Sequence, residues 1–250
     1  MNKVDRKIKK KRTRLITIII LLVISIFFIL YTRTSFFHIS AIEVYGNEKI
    51  KDDKLILASG IMIGENIFKI SLKMAEENIL LHPYIKNVDI KRKLPDKIEI
   101  SVDERKEIAV IDYAGSYIYV DEEGIILNIL SEKDNSQIVE INGIEISNPR
   151  VSQKVEFNNE QIGDNILELL NESRKLGLSN SITTISVDEN NKVTFHLDDG
   201  GEVAFGTLDD VKYKLNFLVS ILKELDAKNQ GFKKIHLDKG ENAIIIKDND

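Results

Sequence analysis

Residues 91–105 read KRKLPDKIEISVDER, and this stretch decides the fold of the first half of the chain. From Ile98 onward apolar side chains alternate with polar ones, which is the period of a strand with one buried face. Pro95 and Asp96 suit the centre of a tight turn, and residues 88–92 before them also alternate. The stretch therefore predicts a β-hairpin packed on helices from one side.

The residues before the hairpin predict a strand and a short helix. Residues 39–45 form an extended apolar run that Gly46 closes. Asp52 or Asp53 can cap a helix that follows, because a side-chain carboxylate accepts from the free N–H groups of the first turn. Gly60 ends this helix, since glycine adopts the left-handed conformation that helix C-termini use.

A second predicted helix lies between this short helix and the hairpin. Ser71 is its expected N-cap, and residues 72, 75 and 79 share one apolar face. Pro83 stops the helix, because the residue before a proline avoids helical angles. Residues 37–105 together predict a compact β-α-α-β-β unit.

An uncharged segment with the sequence LITIIILLVISIFFILYT occupies residues 15–32. Eighteen helical residues reach about 27 Å, close to the thickness of a hydrocarbon core. Residues 1–14 carry a net charge of +7, whereas the whole chain carries −5. Because basic residues stay on the cytoplasmic side, the pattern predicts a single-pass type II protein of the cell membrane, with a basic cytoplasmic tail (1–14), a transmembrane helix (15–32) and extracytoplasmic domains.

Two other structures compete for the same segment. A buried core helix is rarely preceded by eight cations, and a cleaved signal peptide has a shorter apolar region followed by small residues. Residues 31–37 offer no such cleavage pattern, so an uncleaved anchor is favoured. The basic tail could also contact anionic membrane lipid.

Composition excludes several functional classes. The chain has no cysteine, which excludes disulfides, thiol nucleophiles and thiolate metal sites. The four histidines are scattered along the chain without the spacing of metal ligands. No metal or cofactor is therefore expected. These histidines are His38, His82, His196 and His236. The acidic exterior argues against nucleic-acid binding, which rewards basic surfaces.

Residues 106–246 predict a second, β-rich domain with two helices, followed by a polar tail (247–250). One helix covers 165–176 and ends at Gly177, and a longer one starts with a capping-box pattern from Thr207 to Asp210. A leucine-rich stripe from Leu208 to Leu225 repeats at three and four residues; it indicates a helix face in the core rather than a coiled-coil seam. The predicted strands cover 108–113, 116–120, 125–130, 182–187, 192–197, 202–205, 234–237 and 243–246, with a turn at 238–241 before the last.

Four segments resemble the FtsQ/DivIB family of bacterial cell-division proteins. FHISAIEVYGN (37–47), GENIFKI (64–70) and the hairpin at 91–105 resemble the opening, the middle loop and the closing hairpin of a POTRA domain, and YIYVDEEGIIL (117–127) is similar to the segment that follows. The resemblance implies an α+β protein with a single transmembrane helix, a POTRA domain (37–105) and an FtsQ-type β-domain (106–246). Glu107 and Leu94 depart from the family pattern without disturbing the alternation.

A family resemblance also gives the last strand a function. A terminal strand often lies at a sheet edge, where another chain can pair with it, although residues 243–246 could equally pair only within their own sheet. The resemblance implies a C-terminal region that holds FtsB/DivIC-like and FtsL-like bitopic partners. The candidate partner-binding residues are Ile235, Leu237, Ala243, Ile244, Ile245 and Ile246.

Catalytic patterns are weak. Ser220 and Lys223 form a Ser-x-x-Lys pattern without its usual companions. The acidic sets at 121–123 and 198–199 are interpreted as turn formers and solvated tips. We therefore expect a non-enzymatic divisome scaffold that helps to localise or regulate septal peptidoglycan synthesis, acting on the synthase indirectly; the alternative is a membrane-anchored cell-envelope enzyme or glycan-binding protein.

Overall fold

The computed structural model describes residues 3–134, 138–239 and 242–247. The chain divides after Glu104 into two compact units, which are described separately. Three parts of the sequence-based interpretation lie outside the described residues: the start of the basic tail at 1–2, the second half of the predicted turn at Gly240 and Glu241, and the polar tail at 248–250.

The first unit contains a long helix followed by a three-stranded mixed sheet with two helices. Its sheet has the order β1-β3-β2, with β1 parallel and β2 antiparallel to the central β3, and the Leu94–Pro95 peptide between β2 and β3 is cis. The β-α-α-β-β order predicted from the sequence is confirmed. The elements are α1 (Lys3–Thr32), β1 (Ala41–Tyr45), α2 (Asp52–Ser59), α3 (Leu72–Leu80), β2 (Ile85–Lys93) and β3 (Lys97–Glu104), with a 3-10 turn at Ser35–Phe37.

Helix α1 contains the uncharged segment 15–32. Its large apolar side chains, from Leu15 to Phe27, are half exposed or more. No helix among the residues described above combines the length and the hydropathy of a membrane span. The transmembrane helix therefore stays a prediction.

Helix ends in the first unit follow the predicted chemistry with one exception. Ser71 caps α3 as predicted, because its Oγ accepts from the Met74 N–H at 3.3 Å. Gly60 ends α2 in the left-handed conformation, also as predicted. The prediction for the start of α2 is wrong: Lys51 occupies the N-cap without a side-chain bond, and Asp52 instead accepts from the Asn47 amide at 2.7 Å.

The second unit is built on one nine-stranded sheet in the order β14-β13-β12-β11-β10-β7-β4-β5-β6. Helices α4 and α5 pack against one face of it and share its apolar core. A separate two-stranded ribbon pairs β8 with β9. The elements are β4 (Ala109–Tyr113), β5 (Ser116–Val120), β6 (Ile126–Leu130), β7 (Val139–Asn142), β8 (Ile146–Ser147), β9 (Glu156–Phe157), α4 (Glu160–Lys175), β10 (Ile182–Val187), β11 (Val193–Leu197), β12 (Glu202–Gly206), α5 (Val211–Ala227), β13 (Phe232–His236) and β14 (Ile244–Lys247).

The two helices of this unit start differently from the prediction. Helix α4 begins five residues earlier, where the Asn159 side chain accepts from the Ile162 N–H at 3.3 Å. The capping box of α5 is absent: Asp210 is the N-cap in a left-handed conformation with no side-chain bond. Thr207 instead bonds to Asp209, and this contact together with Lys214 lowers the pKa of Asp209 to about 2.

The leucine-rich stripe of α5 lies in the core, as favoured from the sequence. Leu215 and Leu218 are fully buried, and Leu225 is almost so. The repeat predicted Leu222 as a core residue, but it is only partly buried, and the neighbouring Ile221 is buried instead. A helix with this pattern on a sheet buries its stripe against the strands, so the coiled-coil alternative is excluded for these residues.

Three strands were missed entirely: β7 of the nine-stranded sheet, and β8 and β9 of the two-stranded ribbon. The short β7 lies between β4 and β10 and runs parallel to both. It joins the two halves of the sheet, so the second unit forms one continuous layer of strands. Four residues are too few for their alternation to stand out in the sequence.

The interpretation of Asp121 as a solvated turn residue is wrong in one respect. Asp121 does form the turn after β5, but it is only 1% exposed. One carboxylate oxygen accepts from the N–H groups of Glu123 and Ile125 at 2.9 and 2.8 Å, and the other pairs with Arg105. A buried carboxylate needs such partners, because burial without them costs several kcal/mol.

Both units use a glycine where a parallel strand ends against its neighbour. Gly46 follows β1 with a φ of +85°, and a Cβ there would lie 2.1 Å from the carbonyl oxygen of Val102 on β3. Gly143 follows β7 with a φ of +79°, and a Cβ there would lie 1.9 Å from the carbonyl oxygen of Val187 on β10. Each site requires glycine for both its backbone angle and its close approach.

We expect Gly46→Ala to lower the free energy of unfolding by about 3 kcal/mol, because a left-handed alanine is strained and its Cβ meets a backbone atom that cannot move aside. Gly64→Ala is the matched control: its φ is +90°, but nothing lies within 4 Å of the added Cβ. Strain alone should cost about 1 kcal/mol there. Urea unfolding of the full chain in detergent, monitored by circular dichroism, gives the free energy of unfolding of both variants. Equal decreases in the two variants would contradict the role of the close approach.

Candidate partner-binding edge

The predicted partner-binding strand lies at the end of the nine-stranded sheet. We call residues 243–247 the C-terminal edge; it contains β14, whose sole neighbour is the antiparallel β13. No other segment of the described residues pairs with the outer side of β14. The prediction that this strand lies at a sheet edge agrees with this arrangement.

Backbone direction shows which groups of the edge face outward. The Leu237 N–H donates to the Ala204 carbonyl of β12 at 2.9 Å, so Ile235, two residues earlier, also directs its N–H and C=O toward β12. Lys234 and His236 therefore direct theirs toward β14. Their register partners Ile246 and Ile244 face inward, which leaves the N–H and C=O of Ile245 pointing out of the sheet.

Side chains of the edge divide between the two faces of the sheet. Ile245 lies opposite Ile235 on the face covered by the helices and is 36% exposed. Ile244 and Ile246 lie on the other face and are 49% and 44% exposed. An incoming strand would therefore meet isoleucine on both faces.

The six predicted partner-binding residues are close together but do not play the same part. Ala243 is half-buried against the core, and Ile244, Ile245 and Ile246 are exposed along the edge. Ile235 and Leu237 are 0% and 7% exposed, so they support the edge from inside the sheet. The sequence grouped them with the exposed residues because strand alternation alone does not tell an inner strand from an outer one, and a partner-binding role for all six stays a prediction.

At the opposite end of the sheet, the outer backbone groups of Ile126 are hydrogen-bonded to a later segment of the same chain. The Ile126 N–H donates to the Gln153 carbonyl at 2.9 Å, and its carbonyl accepts from the Ser152 N–H at 2.8 Å. These bonds occupy the outer backbone groups at the start of β6. The two ends of the sheet therefore differ, and the C-terminal edge is the more accessible one.

The open face beside the edge is polar. Lys234 donates to Glu202 at 2.9 Å, and this bond holds the pKa of Glu202 below its usual value. Burial alone would raise the pKa of Asp238, but the 2.9 Å bond with His236 and further hydrogen bonding outweigh it, so this pKa is lowered. The apolar edge thus borders charges that are already paired with one another.

Residues with catalytic potential are used structurally. Ser220 donates to the Asn216 carbonyl of its own helix at 3.0 Å. His82 accepts from the Tyr84 N–H at 3.3 Å, and burial followed by the nearby Lys54 lowers its pKa. Among the described residues, no three carboxylates or histidines lie close enough to hold a metal ion.

Family models match both units. The model described as "POTRA domain, FtsQ-type" matches residues 37–105, and the model described as "Cell division protein FtsQ/DivIB, C-terminal" matches residues 109–238. The matches cover the β-α-α-β-β part of the first unit and most of the nine-stranded sheet. The second match ends before the C-terminal edge.

Similar proteins are division proteins. The chain is 33% identical over 231 residues to cell division protein DivIB of Clostridium botulinum (strain Loch Maree), covering 90% of each chain. It is 31% identical over 201 residues to DivIB of Clostridium acetobutylicum, covering 76% of this chain and 75% of the relative. A solved structure of the major extracytoplasmic domain of DivIB from Geobacillus stearothermophilus aligns with a TM-score of 0.33 and 20% identity over 50% of this chain and 97% of that one.

We expect the amide hydrogen of Ile245 to exchange with solvent at least about tenfold faster than those of Ile244 and Ile246, because its N–H points outward and theirs are bonded to β13. Hydrogen exchange followed by NMR on the full chain in micelles measures all three. Equal protection at the three positions would show that the outer side of β14 is already paired.

Proposed function

Because the chain belongs to the FtsQ/DivIB family of cell division proteins, we propose that it acts as a non-enzymatic scaffold at the division septum. Its function would be to hold other division proteins outside the membrane and so to localise or regulate septal peptidoglycan synthesis. Support comes from the open edge of the sheet and from the structural use of the polar residues that could have been catalytic.

We propose the membrane topology that the sequence predicts. Residues 1–14 are the cytoplasmic tail, 15–32 cross the bilayer, and the POTRA domain (37–105) and β-domain (106–246) lie outside. Lys247, predicted as the first residue of the polar tail at 247–250, instead ends β14. The uncharged helix with its exposed aliphatic side chains and the net charge of +7 before it support this topology. The anchor would confine the protein to two dimensions and raise its effective concentration near other anchored proteins.

The proposed binding mode is strand addition to the C-terminal edge. An unpaired strand offers its N–H and C=O groups to another chain, and an exposed apolar edge whose one charged side chain, Lys247, lies at its end favours such pairing. Ile244, Ile245 and Ile246 are the exposed side chains of this strand. The single observation that carries the proposal is this outermost isoleucine strand with the backbone of Ile245 turned outward.

The proposed partners are FtsB/DivIC-like and FtsL-like bitopic division proteins, and the septal synthase would be reached through them. An extended segment of the partner would pair with β14 along its length. Its apolar side chains would meet the isoleucines on both faces of the sheet. No cofactor or nucleic acid is needed for this function.

We expect Ile245→Pro to weaken binding of a DivIC-like partner by at least about tenfold, because proline removes the outward N–H that the partner would use. The sheet itself should remain intact, since this N–H is not bonded to β13 and edge strands tolerate proline at such positions. Affinity is measured between the full-length chain in detergent and the exterior part of the partner.

Ile245→Ala is the matched control, because it shortens the same side chain and keeps the N–H. It should weaken binding less than proline does. Ile246→Pro, which breaks an inward bond, should instead lower the stability of the unit. Unchanged affinity in a folded Ile245→Pro variant would exclude strand addition at this edge, and retention of wall fragments with no partner protein would favour a glycan-binding role.

A further inference from the structure

Four exposed apolar side chains lie in the first unit, one just after α1 and three on a loop that is hydrogen-bonded to the end of that helix. We call residues 61–70, which connect α2 to α3, the juxtamembrane loop. Met62 and Ile63 at its start are 63% and 68% exposed, and Phe68 near its end is 44% exposed. Phe36, just after α1, is equally accessible at 56%. Single exposed apolar residues are ordinary, but several of them on one loop and its bonded neighbour indicate a contact surface.

The loop is bonded directly to the last turn of α1. The buried Asn66 donates through its amide to the carbonyl of Thr32 at 2.8 Å, which satisfies one of the free carbonyls at the helix end. The Ile67 N–H donates to the Phe37 carbonyl at 2.9 Å, and the Ile39 N–H donates to the Glu65 carbonyl at 2.8 Å. These bonds join the loop to the segment that continues from α1.

Bonds from the sheet side hold the same loop in place. Arg92 of β2 donates from Nε to the Ile67 carbonyl and from Nη2 to the Ile70 carbonyl, both at 2.8 Å. The Gly64 N–H donates to the Ile39 carbonyl at 2.8 Å. Ile63 is three residues from Asn66, so its Cα lies within about 11 Å of the Asn66 Cα, which itself is bonded to α1.

Aromatic rings fill the junction between α1 and the loop. The buried Phe37 lies 5.1–5.3 Å, between ring centroids, from Tyr31 of α1, from Phe36 and from Phe68. Tyrosine is enriched at the level of lipid headgroups because its ring is amphipathic. Arg33 and Lys69 are exposed beside the cluster and could reach anionic headgroups, whereas the partly buried Glu65 is the one acidic side chain within the loop.

We propose that the juxtamembrane loop, together with Phe36, inserts its exposed apolar side chains into the outer lipid leaflet beside α1. The inference deepens the proposed function and rests on the proposed membrane anchor. We assign lipid as the binding partner because the loop is hydrogen-bonded to the end of the uncharged segment 15–32. If that segment spans the membrane, the loop lies at the bilayer surface, where lipid is always present. The headgroup region is about 5–7 Å thick on each side, which matches the reach of these side chains.

This contact gives the first unit two attachments to the membrane instead of one. A single helix end would allow the domain to swing about the residues after Thr32. Burying Met62, Ile63 and Phe68 as well removes that freedom on the lipid side. The mode is that of an interfacial anchor, whose strength scales with the apolar area buried and with attraction to anionic lipid.

Site-specific fluorescence on the full chain tests the proposal, because the natural sequence has no cysteine. Ile63→Cys is labelled with an environment-sensitive dye and reconstituted in vesicles of phosphatidylethanolamine and phosphatidylglycerol. We expect a blue-shifted emission and a loss of intensity when lipids carry a spin label near the headgroup. Tyr45→Cys is the matched control: Tyr45 is 51% exposed at the far end of β1, about 20 Å along the strand from Ile39, and its dye should not be quenched.

Ile24→Cys in α1 separates the two proposals, since its dye should be quenched by a spin label deep in the bilayer. If the dye at position 24 is quenched and the dye at position 63, like the control at position 45, is not, the loop contact is overturned and the anchor is left intact. No quenching at position 24 overturns both. As a second measurement, Ile63→Glu should abolish the quenching of a dye at Met62→Cys, on the loop itself, with an unchanged circular dichroism spectrum. Persistence of that quenching in the folded variant also overturns insertion of the loop.

Discussion

The outer backbone groups of an outermost strand must pair with another segment or face water, and the second unit is organised around this constraint. At β6 the chain meets the requirement itself, through Ser152 and Gln153. At β14 the outward groups of Ile245 have no bonded segment among the described residues. Because the two helices cover one face of the sheet and paired polar residues line the other beside β13, this strand is where the unit can add a neighbour.

Local patterns predicted a large part of the fold. The alternation at Ile98–Val102, the serine at position 71 and the glycine at position 60 each act over a few residues, so the sequence shows them directly. The short β7 depends on neighbours that are distant in sequence, and its four residues carry little periodicity of their own. The predicted cap of α5 is absent for a different, local reason, because the Thr207 hydroxyl donates to Asp209 instead of capping the helix.

The last strand lies at a sheet edge, as the sequence indicated, and the partner-binding role of its six candidate residues stays a prediction. Apolar composition located the last two strands, but it could not separate the buried Ile235 from the exposed Ile245 that lies opposite it. The direction of each N–H depends on the parallel pairing of β12 with β13, which a single sequence does not specify. Burial of Asp121 likewise depends on Arg105, sixteen residues away. Contacts between residues distant in sequence therefore determine which side chains are buried and which N–H groups face outward, and the sequence alone does not show these contacts.

Strand β2 of the first sheet and strand β14 of the second are both edge strands, and they differ in the charge of their exposed side chains. The outer strand β2 of the first unit carries Lys91 and Lys93, whose side chains are 61% and 52% exposed. Charged side chains on an edge strand discourage pairing, because an incoming strand would have to strip water from them. On β14 only Lys247, at the end of the strand, is charged, and the positions before it are isoleucine. Since the same backbone groups are present on both strands, the difference in side-chain charge makes β14 the better candidate of the two for the proposed strand addition.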